Sequence, residues 1–170
     1  MRIRTVFVSA VIGAAMVAGA AAPAAAQGHA TDLSLGYQFT RAIDDSTNLP
    51  KGWTASLSRH FNPVASIVGE ASGAYKDGVS VHFFQAGLRF GNFDNPNITP
   101  FGQILVGSGT FSSSGTSSTG INFQPGGGVD LRANDTVSVR LQGDYLVTRV
   151  EGVNSKAFRF AASVVFSLTK

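Results

Sequence analysis

From residue 31 onward the chain alternates apolar and polar residues with a period of two, and it does so in eight successive segments. That pattern describes a strand with one face buried and one face in a different medium. No stretch after Gln27 holds an apolar 3.6-residue period for three turns, and frequent Gly, Thr, Val, Phe and Ser disfavour helix. The predicted strands are Asp32 to Thr40, Gly52 to Phe61, Val64 to Tyr75, Val79 to Phe90, Ile98 to Thr110, Ile121 to Leu131, Thr136 to Thr148 and Ala157 to Leu168. The seventh is the clearest, setting Val137, Val139, Leu141, Tyr145 and Val147 against Ser138, Arg140, Gln142 and Asp144. The fifth has apolar residues on both faces, so its phase is ambiguous. The connectors are Arg41–Lys51, Asn62-Pro63, Lys76–Gly78, Gly91–Asn97, Phe111–Gly120, Arg132–Asp135 and Arg149–Lys156. Eight such strands in sequence form an antiparallel up-and-down meander, which closes most simply into a barrel without edges.

Alternation alone does not say which face points outward, and the placement of charge does. Only 14% of residues are charged, against about 25% in ordinary soluble domains. Lys51, Lys76, Lys156 and Lys170 all fall in connectors or at the end of the sequence. A water-facing sheet would carry Lys and Glu on most strands. Here the polar face is Ser, Gln, Asn, Thr and Gly with a few Asp, Glu and Arg, which suits a narrow lumen. The apolar face therefore points to lipid. The aromatic residues add a second sign. Phe39, Trp53, Tyr75, Tyr145 and Phe158 are expected near the outer rim. Phe61, Phe90, Phe101 and Phe166 are expected near the periplasmic rim, forming two interfacial girdles.

Residues 1–26 read as a secretory signal peptide. Arg2 and Arg4 form the basic end, Val6 to Ala22 is largely apolar, and Ala24-Ala25-Ala26 supplies a small-residue cleavage site. The apolar run is shorter than the roughly 20 residues a helical span needs. Removing residues 1–26 leaves 144 residues (27–170) as the barrel domain. It also takes away Arg2 and Arg4, so the net charge falls from +3 to +1. The basic character that would suggest nucleic acid disappears with it. With no cysteine, the chain has no disulfide framework, thiolate metal site or thiol nucleophile.

Four stretches carry a resemblance to a known group: Thr99-Pro100-Phe101-Gly102-Gln103; Gly126-Gly127-Gly128-Val129-Asp130; Val137 through Arg149; and Phe158 through Phe166. They look like bacterial outer-membrane β-barrel domain proteins, the small OmpA- or OmpX-like eight-stranded barrels. The resemblance spans most of residues 31–168 and is strongest from 99 onward. It implies an all-β transmembrane barrel in the cell envelope, in the outer membrane of a Gram-negative-type bacterium. Its partners would be outer-membrane lipids and the insertion machinery. One departure is that such barrels often end on an aromatic residue, whereas this sequence ends Ser167-Leu168-Thr169-Lys170, leaving Phe166 to serve that role.

The strand parity sends Glu70, Asp130 and Asp144 into the lumen with Arg89, Arg140 and Arg159. Three acids against three guanidinium groups predict a salt-bridged plug, and the sharper alternative is a narrow pore. Ser58 and His60 share a face, but a pair at i and i+2 is weak evidence for a nucleophile and base, so no enzyme is expected. His29, His60 and His82 lack ligand spacing, so neither a metal nor another cofactor is expected. Gly126-Gly127-Gly128 is expected to let a strand bend or accept a bulky neighbour, and Pro125 to sit at a local bulge. Arg59 points to lipid by parity and would snorkel toward the headgroups. Phe111–Gly120 is expected as a mobile periplasmic connector. Arg41–Lys51 and Arg149–Lys156 are expected as the longest outward loops, where any unknown ligand would bind. The sequence thus predicts a plugged outer-membrane barrel with a structural or surface-interaction role. The alternative is a soluble periplasmic, lipocalin-like barrel around a small apolar ligand.

Overall fold

A computed structural model of the chain describes residues 30–44, 48–93, 97–113, 115–150 and 152–169. The expected signal segment 1–26 lies outside them, as does Lys170. The strands are β1 (Thr31–Ala42), β2 (Asn48–Leu49), β3 (Lys51–Asn62), β4 (Ala65–Lys76), β5 (Val79–Gly91), β6 (Ile98–Ser113), β7 (Thr116–Arg132), β8 (Val137–Val150) and β9 (Val153–Thr169). Eight long strands pair antiparallel in chain order, and β1 pairs with β9 to close the barrel. The two-residue β2 is a side ladder on Thr40 and Arg41.

Closure has a definite stagger. Stepping across paired positions from Leu33 leads to Leu57, Gly69, Ala86, Val106, Phe123, Val147 and Lys156 in turn. The Ile43 amide, back on the first strand's side, then donates to the Lys156 carbonyl. The walk returns ten residues along from its start at Leu33. A shear of this size in eight strands tilts them by about 35–45° and leaves a lumen that side chains fill.

The polarity is inverted relative to a soluble barrel. Gln38, Ser66, Asn122, Gln124 and Arg159 are completely buried inside, while Ile104 (49% exposed), Val106, Leu141 and Phe160 face outward. This overturns the soluble, lipocalin-like alternative, which needs an apolar interior and a charged coat. The ambiguous fifth segment resolves in the same sense. Phe101, Gln103 and Leu105 point in, and Ile98, Ile104 and Val106 point out. Phe101 is therefore not a rim aromatic, as its position in the sequence suggested.

Ala30 and Thr169 lie at one end, here the near end, with the β3–β4, β5–β6 and β7–β8 connections. The other four connections lie at the far end. Three of these are two-residue turns, flanked by the pairs Lys76–Val79, Ser113–Thr116 and Val150–Val153. Asp77 and Gly78 both have positive φ (44° and 80°), the signature of a type I′ hairpin, and Gly115 and Gly152 also have positive φ.

Two expectations fail here. Phe111–Ser113 and Thr116–Gly120 are paired strand and belong to the far end, because connections after the first, third, fifth and seventh long strands emerge together. Arg149–Lys156 is likewise strand and hairpin rather than a long loop. In both places the apolar alternation stops while the pairing continues. A ribbon that has left the lipid no longer needs an apolar face, and in the β6–β7 ribbon hydroxyl pairs bond across it: Thr110 to Thr119 at 3.0 Å and Ser112 to Ser117 at 2.8 Å.

Pro125 faces outward opposite Ile104, and the β7–β8 register is the same on both sides of it (Phe123–Val147, Gly126–Asp144). The expected bulge is absent, and the proline interrupts the β7–β8 ladder without shifting it. Arg59 is exposed on the outer face between Thr31 and Ile67, close to the near rim.

Ile104 lies at the barrel's waist, between Leu88 and Pro125. Ile104→Arg is expected to lower stability by about 2–4 kcal/mol in urea titrations in lipid vesicles, against about 0–1 for Ile98→Arg at the rim. Equal losses at the two sites would contradict a lipid-facing waist.

Candidate functional site

The lumen gathers acids and guanidinium groups together, and it is organised around Arg159 on β9. This guanidinium is completely buried. Its Nε and Nη2 donate to Asp144 Oδ2 at 2.9 and 2.7 Å, and Nη1 donates to Glu70 Oε1 at 2.5 Å. Gln38 Oε1 and Ser72 Oγ accept further bonds from Nη1. Two acids from β4 and β8 are thus bridged by a base from β9, across the inside of the barrel. Charge this deep is tolerable because each ion is paired and accepts or donates further hydrogen bonds. Gln124 donates to Glu70, and Gln103 and Gln142 donate to the two oxygens of Asp144.

Gln103 also connects this cluster to the next. Its Oε1 accepts from Arg89 Nε and Nη2 at 3.1 and 2.8 Å. Arg89 lies over the Phe101 ring at 4.6 Å, and Arg140 lies over the same ring at 5.0 Å. Phe101 thereby separates two cations while offering each a π face. Arg140 completes a two-pronged pair with Asp130, both bonds 2.7 Å. At the near mouth, His60 Nε2 lies 2.7 Å from Asp32 Oδ2, and Ser167 donates to Asp32 Oδ1.

All six residues assigned to the lumen from parity are therefore inside. The arrangement is one cluster of Arg159, Glu70 and Asp144, one separate Arg140–Asp130 pair, and Arg89 held by a neutral amide. Sequence reasoning missed the connecting glutamines, whose signal was repeated Gln on the polar parity of β1, β6, β7 and β8. It also missed the Asp32–His60 pair. The glycine triplet accepts bulky neighbours rather than bending the strand. A Cβ at Gly126 would collide with the Asp144 carboxylate, and one at Gly128 with the Phe101 ring.

Toward the far end the lumen turns apolar. Leu49, carried inward by β2, packs with Ala74, Val81, Phe83 and Leu146, and Phe111 and Ala157 lean on this cluster. It caps the charged cluster. The near end instead opens in a mouth of about 440 Å³, lined by Asp32, His60, Phe93, Asp130, Arg132 and Ser167 among others. Between cap and mouth, amide atoms of Gln85, Asn122 and Gln124 are buried without a protein partner. Buried polar groups of this kind ordinarily bond to ordered water.

The eight girdle residues all lie on the outer face. Tyr145 stacks at 5.2 Å on Phe158, Phe39 pairs with Phe160, and Trp53 Nε1 donates to the Tyr75 hydroxyl at 3.0 Å, which lies 3.0 Å from His82. Phe61, Phe90 and Phe166 are outward near the other rim. Ser58 and His60 do share the lumen face, but the Asp32 carboxylate stands between the imidazole and its nearest bonded hydroxyl, Ser167. A hydrolytic triad needs the imidazole in that middle position. No group of three potential metal ligands occurs among the described residues.

No protein-family model and no curated protein matches the chain. Solved structures do. Neisserial surface protein A (NspA) superposes with a TM-score of 0.61 at 15% identity, over 84% of this chain and 98% of that one. The N-terminal β-barrel domain of Pseudomonas aeruginosa OprF gives 0.59 at 11% identity, over 82% and 100%. Ail, the attachment invasion locus protein of Yersinia pestis, solved with the heparin analogue sucrose octasulfate, gives 0.55 at 18%, over 82% and 100%. At these identities the likeness establishes the fold, that of the small outer-membrane β-barrels.

Replacing Arg159 by Leu strands two buried carboxylates, and the expected loss is about 3–5 kcal/mol in urea unfolding in detergent. Combining Arg159→Met with Glu70→Gln and Asp144→Asn recovers most of it. Glu70→Ala alone lowers the unfolding temperature more than Arg140→Ala, since the carboxylate left by the latter, Asp130, is 15% exposed at the mouth. Unchanged unfolding temperatures for both variants would contradict a paired interior.

Proposed function

We propose that this chain is an integral outer-membrane barrel, exported by residues 1–26 and placed by the outer-membrane insertion machinery, with its near end toward the periplasm. Its role is structural or surface-interacting, and it is neither an enzyme nor a conduit. The observation that carries this reading is the double closure of the lumen. The Arg159–Glu70–Asp144 cluster spans the interior, and the Leu49–Phe83–Leu146 cap lies above it. A path for ions would have to pass both. What remains available to other molecules is the outer belt, which meets lipid, and the far-end surface formed by β2 and the β6–β7 ribbon. Of the expected ligand loops, 41–51 remains as a candidate docking place, partly outside the described residues. The names of the similar barrels, a surface protein and an attachment invasion locus protein, favour a surface role for this fold.

Cell fractionation with boiled and unboiled samples on a detergent gel tests the membrane reading. The protein is expected in the outer-membrane fraction, with mobility that changes on boiling. A soluble protein of unchanging mobility would sink that reading. In planar bilayers no discrete conductance is expected, and steady single-channel openings would replace the plug with a pore.

A further inference from the structure

The far rim of the barrel is electrically lopsided. Arg149 on β8, Lys156 on β9, Arg41 on β1 and Lys51 on β3 occupy four consecutive strands, and all four are exposed. Each shares its strand's outward parity: with Tyr145 and Val147, with Phe158, with Tyr37 and Phe39, and with Trp53, respectively. The register then fixes their spacing. Arg149 is opposite Asn154, so Lys156 is its diagonal neighbour. Arg41 is opposite Phe158, so Lys156 is diagonal to it as well. Lys51 lies on the neighbouring strand two residues beyond the Tyr37–Trp53 pair, where β2 takes over the pairing with Thr40 and Arg41. Diagonal neighbours on one sheet face lie about 7–8 Å apart, so Arg149, Lys156 and Arg41 form a continuous arc, which Lys51 extends onto β3.

None of the four is ion-paired among the described residues. The nearby Asp44 carboxylate accepts from the Lys156 backbone amide. Asp45 and Glu151, the other acids in these connections, lie outside the described residues. The opposite side of the rim is different. There β6 and β7 present Thr110, Ser112, Ser117 and Thr119, which bond to one another. Directly below the arc lie Tyr145–Phe158, Phe39–Phe160 and Tyr37–Trp53, the aromatic pairs that meet a bilayer interface.

We infer that this arc is a binding site for phosphate-bearing lipid headgroups of the leaflet at the far end. Guanidinium forks and ammonium groups match phosphate oxygens, and the belt beneath accepts the acyl chains of the same lipid. Four cations in a row at headgroup height would repel one another in a neutral bilayer, and anionic lipid removes that repulsion. The inference rests on the membrane reading above.

Trp53, the only tryptophan in the chain, lies just below Lys51 and reports on the site. The protein is refolded into phosphatidylcholine vesicles containing a minor fraction of brominated lipid, either phosphatidylcholine or phosphatidic acid. Brominated phosphatidic acid is expected to quench Trp53 with an apparent enrichment of about fivefold or more, in line with the attraction of basic residues at an anionic surface. The variant Arg41→Gln/Lys51→Gln/Arg149→Gln/Lys156→Gln loses the enrichment, and Arg59→Gln/Arg132→Gln at the near end keeps it. Inorganic phosphate at matched ionic strength leaves the quenching in place. Relief by inorganic phosphate would overturn the assignment to lipid. Equal quenching by the two brominated lipids in an inserted, heat-modifiable barrel would overturn the site alone. Failure to insert into neutral vesicles would overturn the membrane reading and the site with it.

Discussion

A guanidinium held away from water between two carboxylates is the interaction on which the rest of this barrel depends. Arg159 draws Glu70 from β4 and Asp144 from β8 toward one point inside the ring. An eight-stranded barrel brings those strands close enough for one side chain to bridge them. The surrounding glutamines follow from the same requirement, because each oxygen left over inside must have a donor. Gly126 follows too, since any side chain there would take the space of the Asp144 carboxylate. The polar interior is thus a packed structure with its own complementarity, in the way an apolar core is for a soluble domain.

The outside answers to a different medium, and its composition changes with height. The waist is aliphatic and small, as at Ile104, Val106 and Ala86. Above it come rings with polar edges, where the Trp53 indole, the Tyr75 hydroxyl and the His82 imidazole are bonded in series. Beyond the rings the rim carries cations on one side and hydroxyls on the other. This ordering matches the passage from hydrocarbon to headgroup to water, and it makes the two ends of the molecule chemically unequal.

Much of this could be read from the residues alone, for a physical reason. A strand with unlike media on its two faces must alternate, so β8 and β9 announced both their existence and their inward residues. The reading lost accuracy where that constraint lapses. Past the bilayer both faces of a ribbon meet water, so Phe111–Gly120 and Arg149–Lys156 looked like loops although Phe111–Ser113, Thr116–Gly120, Arg149–Val150 and Val153–Lys156 are paired strand. In β6 an inward Phe101 and Leu105 broke the alternation, because this lumen uses a ring to separate two cations and an aliphatic side chain to fill space. Which acid meets which base was not legible. That depends on the ten-residue stagger of the closed sheet, a property of all eight strands together.

The position of Arg159 in the chain also bears on the order of events. It sits on β9, whose pairing with β1 closes the ring. Glu70 and Asp144 come earlier in the chain and have no other cation bonded to them among the described residues. A sheet one strand short is therefore an open trough in which Glu70 and Asp144 have no bonded cation and three acids face only two guanidinium groups. Arrival of the last strand neutralises that charge in the same motion that removes the two free edges. Sealing of the ring and neutralisation of its interior thus depend on the same strand.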